Sequence, residues 1–131
     1  MASDIKAALY AFLAADAGVI AQVADRIFPM RAPEGATLPL LVYHKVSDPS
    51  IHTKDGDMAL SHPRFQITAW GSKYGDAEAA IKAVRLALQA YAGPTFQGIP
   101  VSEIIVDTEM DLGDPQSLEY GVSLDAIIWH S

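Results

Sequence analysis

Cysteine is absent from the 131 residues. That excludes disulfides, thiolate metal sites and a thiol nucleophile together. Basic residues are few: nine Lys and Arg stand against sixteen Asp and Glu, for a formal net charge of -7. They form no run, and gripping phosphate needs clustered Lys and Arg, so a nucleic-acid-binding surface is not expected. Long apolar runs are missing too. The apolar stretch after Lys6 is cut by Asp16 and Asp25, and the first six residues hold Asp4 and one Lys. Neither a secretory leader nor a membrane span is expected, and the chain reads as soluble. The spacings of catalysis are lacking as well. There is no G-x-S-x-G, no H-E-x-x-H, and Gly71 and Gly75 lack the Lys-Ser/Thr ending of a phosphate loop. The histidines (His44, His52, His62 and His130) show no metal-ligand spacing. No catalytic set, metal or cofactor is expected.

What is present is period. A chain of this length forms one domain, residues 1–131, and buries about two-thirds of its unfolded surface. Ile5, Ala8, Leu9, Phe12 and Leu13 recur at helical spacing, with Ser3 as a cap and Gly18 as a stop. A short second helical piece follows, to about Asp25. Residues 26–30 and 40–46 read as strands separated by a loop punctuated by Pro33, Gly35 and Pro39. Residues 62–70 alternate, with Phe65, Ile67 and Ala69 on one face, which makes this strand a hairpin partner of 40–46. The polar arm between them, residues 48–57, carries a tight-turn signal at Asp55 and Gly56. Asp76 is placed to cap the best helix, whose stripe is Ala80, Ile81, Val84, Leu88 and Tyr91, ended by Gly93 and Pro94. Residues 101–112 and 119–131 are further strands. The order predicts an α+β domain: a mostly antiparallel sheet with two main helices packed on one face.

Two features stand out as candidate surfaces. In the last strand Tyr120, Val122, Leu124, Ala126 and Ile128 alternate with small or polar residues, until Ile127 and Trp129 put bulk on the wet face. Large apolar groups there fit a partner's surface as well as they fit packing. Asp107, Glu109 and Asp111 project to one side of a strand at period two, as a solvated face or an acidic patch toward a partner or a channel. His44 and His62, set across the hairpin, offer a small enzyme acting with a carboxylate as an alternative, in a concave pocket.

Read in order, several segments resemble a known family. They are Leu9-Tyr10-Ala11-Phe12-Leu13-Ala14-Ala15-Asp16, Val23-Ala24-Asp25-Arg26-Ile27-Phe28-Pro29, and Ala32-Pro33-Glu34-Gly35-Ala36 with Leu38-Pro39-Leu40-Leu41-Val42-Tyr43. Arg64-Phe65-Gln66-Ile67-Thr68-Ala69-Trp70, Asp107 to Leu112, Tyr120-Gly121-Val122-Ser123-Leu124-Asp125 and Trp129-His130 complete the set. Together they resemble the tail-completion, or tail-terminator, proteins of long-tailed bacteriophages, prophages and gene transfer agents. The resemblance implies a non-enzymatic virion protein that forms a ring, usually a hexamer, with copies of itself. Such a ring caps the tail tube, stops its polymerisation and offers a docking surface to the head-completion or connector protein. DNA passes through without specific binding, and no membrane is involved. The implied location is the virion tail, reached from the host cytoplasm during assembly. On that reading Ile127, Trp129, Asp55 and Gly56 are interface candidates, and Asp107, Glu109 and Asp111 a lumen or interface face. A second alternative is a head-tail adaptor that contacts DNA.

Overall fold

The structure is a computed structural model that describes residues 5–48, 52–53, 56–57, 61–92, 95–114 and 119–130. Helix α1 (Ile5–Ala15) buries Ile5, Ala8, Leu9 and Leu13, the i, i+3, i+4 stripe of an amphipathic helix. Gly18 does not stop it. The chain turns at Asp16, whose side chain accepts from the Val19 N–H at 3.1 Å and caps α2 (Ala17–Val23); Gly18 lies inside α2. The two helices bend by 81° at this break, and among the described residues no single helix is long and apolar enough to cross a membrane.

Strands β1 (Ile27–Pro29) and β2 (Leu40–Ser47) run parallel, with Ile27 opposite Leu41. The arm beyond β2 holds the small pair β3 (His52–Thr53) and β4 (Gly56–Asp57). Gly56 therefore sits in β4 opposite Thr53; Asp55 lies outside the described residues. Strand β5 (Arg64–Gly71) returns antiparallel to β2, as its alternation predicts. Helix α3 (Tyr74–Gln89) buries Ala77, Ala80, Ile81, Val84, Ala87 and Leu88. Its N-cap is Lys73, so Asp76 falls in the first turn, where a carboxylate still meets the positive end of the helix dipole. The caps and stops read at Ser3, Gly93 and Pro94 lie outside the described residues. After the short β6 (Thr95–Phe96) come β7 (Ile99–Asp114) and β8 (Glu119–His130).

The strand order is β1-β2-β5-β8-β7-β6, so β8 sits in the middle, and among the described residues only the β1–β2 pair is parallel. All three helices share one core with the inward face of this sheet. Leu9, Leu13, Phe65, Ile67, Leu124, Ala126 and Ile128 are fully enclosed there. Each large apolar side chain so buried contributes about 2 kcal/mol before entropy is charged against it. Among the described residues the opposite face carries no helix.

Candidate functional site

On β8 the alternation sends Val122, Leu124, Ala126 and Ile128 to the helices, and Gly121, Ser123, Asp125, Ile127 and Trp129 to the helix-free face. Cross-strand register then sets their neighbours. Ile127 stands between Arg64 on β5 and Ile105 on β7, and Trp129 stands opposite Glu103. Ile127 and Trp129 are half-buried, while Ile105 is exposed. These side chains make an apolar patch that no helix among the described residues covers.

The patch lies at the root of the arm. His62 stacks on Trp129, with ring centroids 4.3 Å apart and planes 17° from parallel. Ser61 and His130 exchange backbone hydrogen bonds at 2.6 and 2.9 Å, and the Ile128 N–H donates to the Pro63 carbonyl at 3.1 Å. His62 is therefore a packing partner of Trp129, and the residue opposite His44 is Gln66. The pairing of His44 with His62 is not formed. Among the described residues no group of three or more His, Asp or Glu could hold a metal ion. Two grooves among the described residues, one between α3 and β7 and one beside the loop 31–36, are lined by neither histidine.

The acidic stretch of β7 does not keep one face. The register slips between Val106 and Thr108: Val106 pairs with Ala126 and Thr108 with Asp125, leaving Asp107 as the extra residue of a bulge. A bulge resets the alternation, so the three carboxylates part company. Asp107 stays on the helix-free face, 2.8 Å from Arg64 Nη1, which also reaches Asp125 at 3.0 Å. The hydrogen bonds that Arg64 donates, first to Asp107 and then to Asp125, push its guanidinium's pKa up. Glu109 and Asp111 turn instead toward α3. Glu109 pairs with Arg85, and the Tyr74 hydroxyl donates to Asp111 at 2.9 Å. The Asp111 hydrogen bond, with a smaller contribution from burial, pushes Tyr74 up to about 12, so it remains a donor throughout the neutral range. Glu78, Lys82, Arg85, Glu109, Asp111 and Val122 line a groove of about 390 Å³ between α3 and β7. Nothing in the sequence around Asp107 marks the bulge.

Ile105 and Arg64 were not singled out by the sequence, and His62 was singled out as a candidate catalytic histidine, not as a partner of Trp129. The available signals were weak: His62-Pro63 just before a strand, and Ile105 as bulk among carboxylates.

Residues 7–131 match the family described as Tail completion protein gp17. Curated proteins yield no match. Among solved structures, a chain of the virion of a native gene transfer agent particle has the same fold. Its TM-score is 0.77 at 18% identity, over 96% of this chain and 93% of that one.

Proposed function

The chain belongs to the tail completion protein gp17 family, and from that membership we propose that it acts as a ring that caps the tail tube. It is a structural protein of a virion tail. The finer reading is a set of copies joined head to tail, closing because the rotation between neighbours closes. One side of the ring meets the last tube subunits, and the other refuses further addition and receives the head-side connector. The observation that supports this reading is the uncovered patch of Ile105, Ile127 and Trp129 beside the arm root. Apolar side chains held half-open on a sheet face, next to an aromatic stack, are what a subunit contact requires. Carboxylates stand on both faces, Asp107 on one and Glu109 and Asp111 on the other. Whichever face turns to the channel, DNA meets like charge and slides. The arm, with Asp55 and Gly56, is a second contact in this reading.

Trp129→Ala tests it. The free chain should lose about 1 kcal/mol of unfolding free energy, the stack with His62 being partly exposed. The oligomer seen by size-exclusion chromatography with light scattering should fall by about tenfold. Electron micrographs of particles made with the variant should show overlong, headless tails. Unchanged oligomers together with tails of normal length would refute the ring.

A further inference from the structure

The patch of Ile105, Ile127 and Trp129 carries an uncompensated negative charge. Glu103 and Ile105 stand two apart on β7, so they share the helix-free face, and Glu103 is paired in register with Trp129. Glu103 is exposed, and among the described residues it has no ion pair or hydrogen-bonded side-chain partner. The cation beside the patch, Arg64, is already held by Asp107 and Asp125. One guanidinium therefore stands against three carboxylates, and a chain that covers the patch must bring a positive charge with its apolar surface.

A head-to-tail ring joins two different surfaces of each subunit, and these point away from one another. The counterpart of the patch therefore belongs on the helix side of the sheet. Among the described residues the helices expose four large apolar side chains: Tyr10, Ile20, Tyr74 and Leu86. Tyr10 leans on Tyr43, and the Tyr74 hydroxyl is held by Asp111. Ile20 lies one turn from Asp16, which would set acid against Glu103. Leu86 has the opposite setting. Helix α3 turns Ala77, Ala80, Ile81, Val84 and Leu88 to the core, so at about 3.6 residues per turn Lys82 and Leu86 project from its far side. Leu86 is 54% exposed in the middle of a helix face where a polar residue is the rule. Lys82, one turn before it, has no ion pair among the described residues, whereas Arg85 is held by Glu109.

The two surfaces match in spacing as well as in sign. Glu103 and Ile105 are roughly 6.6 Å apart at about 3.3 Å per residue of strand. Lys82 and Leu86 are roughly 6 Å apart at about 1.5 Å per residue of helix. Resting on the reading of this chain as a ring subunit, we propose that the outward face of α3, centred on Lys82 and Leu86, seats the Ile105, Ile127 and Trp129 patch of a second copy, with that copy's Glu103 paired to Lys82. Each boundary then sets the sheet of one subunit on the helix of the next. No surface has to meet itself, as closure into a ring requires.

Exchange of the two charges tests the contact. E103K and K82E each set like charges across the boundary and should lower the population of rings about fivefold, counted on the tails of assembled particles by electron microscopy. The double variant restores opposite charges and should recover to within about twofold of the unaltered chain. Both side chains are exposed, so thermal unfolding of the free chain should stay unchanged in all three. Leu86→Ser should lower the ring population by about tenfold. Cysteine is absent from the chain, so I105C and L86C place its only thiols. Treated with a short bismaleimide in the particle, the double cysteine variant should give a ladder of linked chains that runs past the dimer, and either single variant should give none. A charge exchange without recovery, a ladder that ends at the dimer or never forms, or a cross-link in I105C alone overturns this contact and leaves the rings of unaltered particles standing. Unaltered particles whose tails carry no ring of this chain overturn the ring itself, and the contact with it.

Discussion

Two stretches of the same helix-free sheet face are finished in opposite ways. At one, Leu40, Val42, Thr68 and Ser123 are buried although no helix among the described residues lies over them. Trp70 roofs the β8 side of this stretch by lying on Gly121. A groove of about 520 Å³ there joins Met30 and the loop 31–36 to Leu40, Val42 and Trp70. At the other stretch, further along β8, the described residues that stand beside Ile127 and Ile105 include the Arg64 side chain and the arm root, and no roof like Trp70 is among them. The strands, the pleat and the alternation are the same. What differs is whether the chain supplies its own cover. A buried outer face signals an intrachain roof, and a half-open apolar one signals a surface reserved for another chain.

If that contrast is real, the roofed stretch should carry stability. Trp70→Ala has the largest expected effect. It uncovers Leu40 and Gly121 together and should lower unfolding free energy by about 3 kcal/mol, the lower part of the range for a large aromatic because Trp70 is only half-buried. Chemical denaturation at unchanged slope would measure it. A loss under about 1 kcal/mol would mean that the roof is ornamental and the comparison empty.

Gly121→Ala probes the same contact from beneath. A Cβ there would come within 2.9 Å of Trp70 Cζ3 and 3.0 Å of Cε3, closer than real Cβ atoms approach, and a ring is not the loose end of a flexible side chain. The ring must lift, at a cost of about 1–2 kcal/mol. A thermal melt matching the unaltered chain would show that Trp70 does not sit on Gly121 in solution.

How much of this was legible beforehand depends on which physical rule wrote it. Periodicity gave the helices and strands, since apolar positions at i, i+3, i+4 on α1 and α3 and at every second residue on β5 and β8 are direct records of burial. The family, too, was readable from ordered segments. Gly18 misled because glycine permits a helix stop without requiring one, and Asp16 had the better capping chemistry. The grouping of Asp107, Glu109 and Asp111 failed because a bulge depends on partner strands rather than on its own sequence. Gly121 looked like filler in a wet face, although a glycine inside a strand often marks a close approach. The finding that β8 lies in the middle of the sheet belongs to pairing, which alternation does not encode. The bulk at Ile127 and Trp129 was visible. Its contacts with Ile105 and His62 were not, because those residues come from elsewhere in the chain, Ile105 from β7 and His62 from the segment before β5.

Ile105→Ser, at the open stretch, has the smallest expected effect on the free chain. The side chain is 36% exposed and opposes Ile127 across the β7–β8 pair, so losing it removes one partly wet contact and leaves no buried cavity. Its unfolding free energy should stay within about 0.5 kcal/mol of the parent. The same substitution puts a hydroxyl in the middle of the apolar patch, where a partner would have to desolvate it without a hydrogen bond, at about 1–3 kcal/mol per contact. In a ring that penalty recurs at every subunit boundary, so a change nearly silent in the monomer becomes a large one in the assembly. Denaturation of the free chain alongside light scattering of the oligomer separates the two. If the substitution costs the free chain as much as Gly121→Ala does and leaves the oligomer intact, the open stretch is merely a poorly packed piece of the same core, and the distinction between the two stretches collapses.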